Sequence, residues 1–388
     1  MSRPVVEVAD ILRAHEARFV DKNRSWLSFQ QLTVLRAIAR CRTAALGGHL
    51  DSCSGCGRQA ISYNSCRNRH CPKCQTQARQ RWLAAREQEV LGVPYFHVVF
   101  TLPHEVNPLC QRNQKVLYNL LFRCSAAAML EVAADPKHLG AEIGFLSILH
   151  TWGQNLLLHP HVHCVVPAGG LAPDHQRWIH PKYAFFLPVK VLGRVFRGKF
   201  IQGLRRAFRR KKLHFSGAGT AAPKQFAALV QTLRHQDWVV YAKAAFGGPA
   251  AVLRYLGRYT HRVAISNHRL ISHEGDQVTF RWKDYAHGNK QRLMTLSADG
   301  FLRRFVQHVL PRGFVRIRQF GFLANGCRSR LIAVSCQLLA FTPDIRVPTN
   351  ELPAKAAWKC PRCGAPMHIQ QRLSALQLKG QCKFIDTS

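Results

Sequence analysis

The sequence predicts an α+β protein in which a helical, cysteine-rich N-terminal region precedes a domain built on a β-sheet. Three observations support this fold class. Apolar residues recur at helical spacing through the first 40 residues. Six of the 14 cysteines crowd into residues 41–74. From residue 93 onward, short β-branched or aromatic runs alternate with helical stretches, which is typical of mixed α+β domains.

The same patterns divide the chain into three predicted domains. These are the N-terminal helices with the cysteine block (1–92), a central domain (93–293) and a basic C-terminal region with a cysteine-pair tail (294–388). Strands are expected at 96–102, 161–166 and 278–282, and a helix with apolar and basic residues near 301–309. Prolines 343, 348 and 353 space polar residues and indicate a linker.

The composition argues against a membrane-spanning or secreted protein. The 388 residues are 47% hydrophobic, yet no window holds 18 uninterrupted apolar residues, so no membrane-spanning helix is expected. The N-terminus mixes acidic and basic residues among its apolar positions and lacks a secretory core. We therefore expect a soluble, cytoplasmic protein.

A net charge of +36 predicts a polyanionic partner, because such a chain repels itself without one. Two stretches, 175–236 and 300–343, contain no acidic residue at all. Membrane surface is the rival polyanion, but no basic amphipathic helix or lipidation motif is expected. Nucleic acid is favoured, with contacts from a basic cluster of Arg205, Arg206, Arg209 and Arg210.

Two cysteine pairs predict a zinc site. Cys53-x-x-Cys56 and Cys71-x-x-Cys74 can present four thiolates tetrahedrally, and without a secretory signal zinc is favoured over disulfides. The same window holds further candidate ligands for a second zinc ion. These are Cys41, His49, Cys66 and His70.

A third pair, Cys360-x-x-Cys363, looks like half of another knuckle. Only Cys382 lies near it in the sequence, so a complete site is not expected there.

The chemistry is predicted to centre on His161-Val162-His163. On a strand, residues i and i+2 share a face, so both imidazoles point to one side while Val162 points into the core. Such a pair is a platform for a divalent metal ion. Gln154 can add an amide oxygen as third ligand, and His150 and His159 compete for that position.

A nucleophile is predicted downstream. Tyr255 and Tyr259 lie four residues apart and would stack along one helix face. A metal ion and nearby cations favour phenolate and stabilise charge in the transition state. Arginines at the same spacing line the helix and are candidate DNA contacts: Arg254, Arg258 and Arg262. The alternative is an ordinary amphipathic helix with buried tyrosines.

Taken together, these motifs resemble the IS91 family of transposases, in the HUH superfamily of single-strand endonucleases. The resemblance follows the family's order through most of the chain. It rests on SCRNRHCPKCQ at 65–75, FTLP at 100–103, LHTWGQNL at 149–156, the histidine pair, YLGRYTHR at 255–262 and RRFVQHVLPRGFVRIRQFG at 303–321.

This resemblance implies a central antiparallel sheet with flanking helices, the histidines on a middle strand and a tyrosine on a nearby helix. It implies that His161, His163 and Gln154 bind Mg²⁺ or Mn²⁺ and that Tyr255 or Tyr259 attacks single-stranded DNA at transposon ends and target. A 5′-phosphotyrosine would form without ATP, as in rolling-circle-like transposition. Action on the bacterial nucleoid is implied, homo-oligomers are compatible with it, and which tyrosine cleaves first stays open.

Other functions stay open at this stage. A non-catalytic, zinc-dependent DNA-binding protein explains the charge and cysteines but leaves the histidine and tyrosine pairs unused. A tyrosine recombinase acting on duplex DNA needs no metal, so metal dependence separates it from the HUH class. A transposase with an acidic triad ranks last, because only 20 acidic residues are present and no acidic pair falls in a candidate site.

Overall fold

The computed structural model describes residues 4–87, 89–182, 186–215, 221–246, 251, 264–284, 287–341 and 358–380. The chain forms two compact units. The first unites residues 1–78, 265–309 and 345–388, and the second comprises 79–264 and 310–344. This differs from the three consecutive domains predicted, because segments far apart in the sequence pair with the N-terminal region.

Ten helices have described bounds within these ranges. They are α1 (Val8–Asn23), α2 (Phe29–Ala39), α3 (Gln75–Glu87), α4 (Asn107–Arg112), α5 (Gln114–Ala134), α6 (Val189–Arg209), α7 (Ala221–His235), α8 (Ala298–Val306), α9 (Arg328–Leu338) and α10 (Ala375–Gly380).

Thirteen strands are described in the same ranges. They are β1 (Gly48–Cys53), β2 (Gln59–Tyr63), β3 (Tyr95–Thr101), β4 (Gly144–Trp152), β5 (Leu158–Pro167), β6 (Gly170–Leu171), β7 (Trp178–Ile179), β8 (Val240–Phe246), β9 (Leu270–Glu274), β10 (Gln277–Asp284), β11 (Lys290–Ser297), β12 (Ile317–Gly321) and β13 (Met367–Leu373).

The first unit begins with the two predicted helices. Helix α2 starts at a capping box. Ser28 Oγ accepts from the backbone N–H of Gln31, and Gln31 Oε1 accepts from the backbone N–H of Ser28 at 2.8 Å. Its apolar stripe, Val34, Leu35 and Ile38, is fully buried. The helical spacing of the first 40 residues therefore predicted these elements correctly.

Two small antiparallel sheets complete the first unit. One has the order β13-β1-β2, so a C-terminal strand pairs with an N-terminal one. The other is the meander β11-β10-β9, whose predicted middle strand spans Gln277–Asp284. The long-range β13–β1 pairing places the C-terminal strand in this unit, and contacts between α8 and α1 place residues 265–309 there.

The second unit is built on a five-stranded antiparallel sheet of order β12-β4-β5-β3-β8. Strand β5 is the central one. Helices α5 and α6 cover one face, where Phe122, Phe196 and Phe200 pack with Val162 and Val166. The predicted α+β class with a central antiparallel sheet and flanking helices is confirmed.

The opposite face is covered only in part by described apolar residues. Val165, Leu146 and Ile148 pack there with Trp178 and Phe322. Because side chains alternate along a strand, His161 and His163 point to this same face. The sheet therefore separates the main apolar core from the histidine face.

Helix α5 is long and apolar enough to cross a membrane by composition alone. Leu121, Phe122 and Met129 on it are nonetheless fully buried in the core of the second unit. Its apolarity is explained by packing on the sheet.

Candidate metal centres

Three imidazoles converge on the central sheet. Strand β5 presents His161 and His163 on one face of the sheet. Val162 and Cys164, which alternate with them, are buried on the other face. In the β4–β5 register His150 lies directly opposite His161. One ring nitrogen from each of the three histidines lies within 4.8 Å of the others. The predicted His161–His163 pair is thus joined by His150, one of the competing third ligands.

Hydrogen bonds orient two of these rings. His161 Nδ1 lies 2.6 Å from the carbonyl oxygen of His159, so Nδ1 carries the proton and Nε2 offers the lone pair. His163 Nδ1 lies 2.7 Å from Nε2 of His97, which projects from β3. In other proteins, a hydrogen bond at the ring nitrogen that does not bind the metal orients a metal-binding histidine. His97 was not predicted from the sequence.

Burial favours the neutral form of three histidines at this site, His97, His161 and His163. It lowers the pKa of His161 to about 3 and that of His97 to about 4, and it lowers the pKa of His163 well below its ordinary value. Neighbouring histidines and, for His97, Lys243 add smaller electrostatic contributions in the same direction. Neutral imidazoles have the lone pairs that metal ligation requires.

Gln154, the remaining predicted ligand, is on neither of the two strands that carry the cluster. It sits in the turn between β4 and β5, and His159 is exposed on β5. His150 completes the set of three ring nitrogens within 4.8 Å of one another, whereas His159 lies beside His161, with ring centroids 5.0 Å apart, and is not in that set. Gln154 as a ligand stays a prediction.

The donor set can be tested against the predicted ions. Three imidazoles suit a divalent transition metal, whereas Mg²⁺ prefers oxygen ligands. The cluster therefore fits Mn²⁺ better than Mg²⁺. Either ion would need further oxygen ligands, such as an amide, water or phosphate.

The predicted nucleophiles lie outside the described residues. This applies to Tyr255 and Tyr259 and equally to Arg254, Arg258 and Arg262. The described chain nevertheless offers a tyrosine on the histidine face. Tyr241 pairs with Val99 in the β3–β8 register, next to buried Val240, and its side chain is 53% exposed.

The cysteines form two clusters, and their grouping corrects the prediction. Cys53 and Cys56 do not share a site with Cys71 and Cys74. Instead, the thiols lie within 4.8 Å of one another in two sets of four: Cys41, Cys66, Cys71 and Cys74, and Cys53, Cys56, Cys360 and Cys363. Each predicted knuckle is present, but each takes its second pair of thiols from another part of the chain.

The first cluster has the geometry of a closed zinc site. Cys74 Sγ lies 3.4 Å from Cys41 Sγ and 3.5 Å from Cys66 Sγ. Hydrogen bonding from the thiol of Cys66 is the largest of the contacts that lower the pKa of Cys41 to about 7. Four thiolates leave no position open for a substrate, so this site stabilises structure.

The two histidines named as second-site candidates do not join either cluster. His70 is buried, and its Nδ1 lies 3.2 Å from Asn68 Oδ1. His49 Nε2 lies 3.7 Å from a carboxylate oxygen of Asp51. Cys66, the other member of that weaker prediction, does belong to the first cluster.

The predicted basic cluster lies on and just after α6. Arg205, Arg206, Arg209 and Arg210 are all exposed. Arg205 and Arg209 line a cavity of about 950 Å³ between α6 and α7, together with further cationic side chains. These are Arg194, Arg197 and Arg234.

Helix α6 is itself a basic amphipathic helix, which the sequence analysis did not expect. Its apolar side, including Phe196, Phe200 and Leu204, is buried against the sheet, so it is not available to a membrane. It covers the face opposite the histidines. The arginine-lined cavity and the histidine cluster are therefore on different faces of one sheet.

Comparison with known proteins gives two family matches. Residues 11–102 match the family described as "Transposase zinc-binding domain", and residues 144–330 match the family described as "Putative transposase". A "Putative transposase y4qJ" of Sinorhizobium fredii is 49% identical over 375 residues, covering 94% of each chain.

A second relative is the transposase for insertion sequence element IS801 of Pseudomonas savastanoi pv. phaseolicola. It is 30% identical over 369 residues, covering 90% of this chain and 85% of that one. No solved structure matches the chain.

Proposed function

Because the chain belongs to the IS91 family of transposases, we propose that it moves an insertion sequence by cutting and rejoining single-stranded DNA through a 5′-phosphotyrosine. A DNA partner follows from the family, and the charge of +36 suits it. The finer statement, a metal-dependent HUH reaction, rests on the histidine cluster. We place this activity on nucleoid DNA in the bacterial cytoplasm.

The observation that best supports a metal-dependent reaction is the convergence of His150, His161 and His163 from two adjacent strands. We assign these three side chains as ligands of one divalent ion, Mn²⁺ or Mg²⁺, with Gln154 as an additional candidate. When bound, the ion would polarise the scissile phosphate and offset charge on its non-bridging oxygens. His97 is assigned as the positioning residue that holds His163 through their hydrogen bond.

Tyr255 and Tyr259 are assigned as nucleophiles. The phenolic oxygen of one tyrosine attacks phosphorus and loses its proton, and the bond from phosphorus to the 3′ oxygen breaks. A 5′-phosphotyrosine and a free 3′-OH result, and because the phosphodiester energy is conserved, rejoining needs no ATP. With two tyrosines, one can hold a cleaved donor end while the other opens the target.

Two surfaces of the second unit are assigned to DNA. On the histidine face, the exposed ring of Tyr241 offers a stacking platform for an unpaired base near the ligands. On the other face, Arg205 and Arg209 in the α6–α7 cavity would bind backbone phosphates.

A gel assay tests the reaction. The full chain is mixed with a labelled single-stranded oligonucleotide carrying a transposon end, with Mn²⁺ or Mg²⁺, and run on a denaturing gel. We expect a covalent adduct that disappears with EDTA and in the Tyr255→Phe plus Tyr259→Phe variant. The His161→Ala plus His163→Ala variant should bind the oligonucleotide and form no adduct.

His268→Ala is the matched control, because His268 is an exposed histidine of the first unit and lies outside the cluster. It should form adduct at the wild-type rate. His150→Ala and Gln154→Ala, compared at limiting Mn²⁺, identify the third ligand as the one whose removal raises the Mn²⁺ requirement.

The two alternative functions predict different results in this gel assay. Adduct that survives EDTA favours a metal-independent tyrosine recombinase. Binding without any adduct, under all metal conditions, favours a non-catalytic zinc-dependent DNA-binding protein.

A further inference from the structure

The N-terminal and C-terminal cysteine pairs form two turns with one backbone geometry. Each pair is followed by a glycine at positive φ, Gly57 at 67° and Gly364 at 75°. The glycine amide donates to the carbonyl of the first cysteine, at 3.1 Å for Cys53 and 2.9 Å for Cys360. The amide of each first cysteine donates to the carbonyl five residues later, at 2.9 Å in both turns. Both turns therefore present their two thiols in the same way.

The two turns face each other through their sulfur atoms. Cys53 Sγ lies 3.3 Å from Cys363 Sγ, and Cys56 Sγ lies 3.7 Å from Cys360 Sγ. Four sulfurs around one zinc ion at 2.3 Å would be roughly 3.8 Å apart. A disulfide bond would be only about 2.05 Å long. The spacing fits a tetrahedral ion and not a covalent bridge.

A sheet and a buried hydrogen bond hold the turns in register. Strand β13 pairs with β1 from Cys53 opposite Met367 through Gly48 opposite Leu373. Asp51 of β1 is buried, and one of its carboxylate oxygens accepts from Trp358 Nε1 at 2.9 Å. The positions of the four thiols thus follow from extensive backbone pairing within the first unit.

We infer that Cys53, Cys56, Cys360 and Cys363 bind a structural zinc ion shared between the two ends of the chain. It is a second zinc site besides Cys41, Cys66, Cys71 and Cys74. The C-terminal half of its ligands lies beyond both family matches, which end at residues 102 and 330.

The charge around the site suits such an ion. A zinc ion with four thiolates carries a net charge of −2. Lys359 and Arg362 are adjacent to ligands in the sequence, and Arg58 is two residues from Cys56. Four thiolates also close the coordination sphere, so the site stabilises structure and leaves no position for catalysis. The ion ties the C-terminal strand β13 and helix α10 to the N-terminal hairpin β1–β2, and its binding energy adds to the stability of that assembly.

Zinc content tests the inference by difference. Purified full-length chain is analysed by inductively coupled plasma mass spectrometry and native mass spectrometry. The Cys360→Ser plus Cys363→Ser variant should hold one zinc ion fewer per chain than wild type. The matched variant Cys327→Ser plus Cys336→Ser, which changes two thiols outside both clusters, should hold as many as wild type.

Alkylation of the wild-type chain supplies a second test that needs no variant. Cys363 is exposed, so as a free thiol it would react quickly with iodoacetamide. Bound to zinc, it should be protected until a strong chelator is added, whereas the partly exposed Cys336 should react at the same rate with or without chelator.

Unchanged zinc content in the Cys360→Ser plus Cys363→Ser variant would overturn the inference. So would rapid alkylation of Cys363 without chelator, or protection that yields to a reductant and not to a chelator, which would indicate a disulfide. Zinc content does not depend on strand cleavage, so failure here leaves the proposed transposase reaction untouched.

Discussion

At the scale of single residues, the hydrogen bonds at Nδ1 of His161 and His163 orient the two candidate metal ligands of β5. His161 Nδ1 is held by the His159 carbonyl and His163 Nδ1 by His97. Both bonds engage Nδ1, which makes Nε2 the candidate ligand atom of each ring. Pre-orientation of this kind lowers the entropic cost of binding an ion.

His97 is expected to act on metal affinity through His163. His97→Phe removes the hydrogen bond while keeping a planar ring in a buried position, so Mn²⁺ affinity should fall about 10- to 100-fold. Isothermal titration with Mn²⁺ measures this. His97→Gln, whose amide can still hydrogen-bond His163, should recover part of the affinity, and equal losses in both variants would argue for a packing role alone.

Protonation of the same residues is expected to limit stability in acid. Burial on folding lowers the pKa of His97 to about 4 and that of His161 to about 3, against an ordinary value of 6.5. Below pH 6.5 the unfolded chain therefore binds more protons than the folded one, and the free energy of unfolding falls as pH drops toward 4.

Urea denaturation at pH 7 and at pH 5, followed by circular dichroism, measures this decrease. His97→Phe should show a smaller pH dependence than wild type. A free energy that is flat with pH in the wild type would contradict the expectation.

Tyr241 is expected to contribute to DNA binding through its ring. Tyr241→Ala should weaken binding of a single-stranded oligonucleotide by about 1–3 kcal/mol, the range seen when one stacked base loses its aromatic partner. Tyr241→Phe keeps the ring and should bind like wild type. Fluorescence anisotropy distinguishes these results, and equal weakening in both variants would point to the hydroxyl instead.

At the scale of elements, helix α6 serves both the core and the surface. Its apolar residues pack on the sheet, and its arginines line one wall of the cavity with α7. A helix can divide its residues in this way because the 3.6-residue period places the two sets on opposite sides.

Neutralising two cavity arginines should weaken DNA binding and its salt dependence together. For Arg205→Gln plus Arg209→Gln, the slope of log K against log salt should shrink by about 0.7 for each phosphate of the single strand that an arginine no longer neutralises. Arg112→Gln plus Arg177→Gln removes the same charge from exposed positions outside the cavity and is the matched control. Equal effects from both pairs would assign the change to net charge alone.

At the scale of the whole molecule, the excess of positive charge sets how binding responds to salt. With 56 basic and 20 acidic residues, the intact chain should bind oligonucleotides with little sequence preference at low salt. Affinity for a random single strand should fall steeply between about 50 and 200 mM salt. Anisotropy titrations at several salt concentrations measure the slope, and a slope near zero would contradict binding through phosphates.

Local spacing in the sequence determined part of the site. The i, i+2 rule placed His161 and His163 on one face of a strand, and two C-x-x-C motifs predicted knuckles, because both depend only on backbone geometry over a few residues. Composition and charge likewise indicated nucleic acid. The antiparallel fold class came from the family resemblance, and the structure confirmed it.

Strand register and chain topology decided the rest. His150 and His97 join the pair because β4 and β3 lie on either side of β5, and nothing in the local sequence fixes that alignment. Cys53 and Cys56 found their partners some 300 residues away, not in the nearer pair, because β13 pairs with β1. A short motif determines which atoms face one side of the backbone, whereas tertiary pairing alone determines what they meet there.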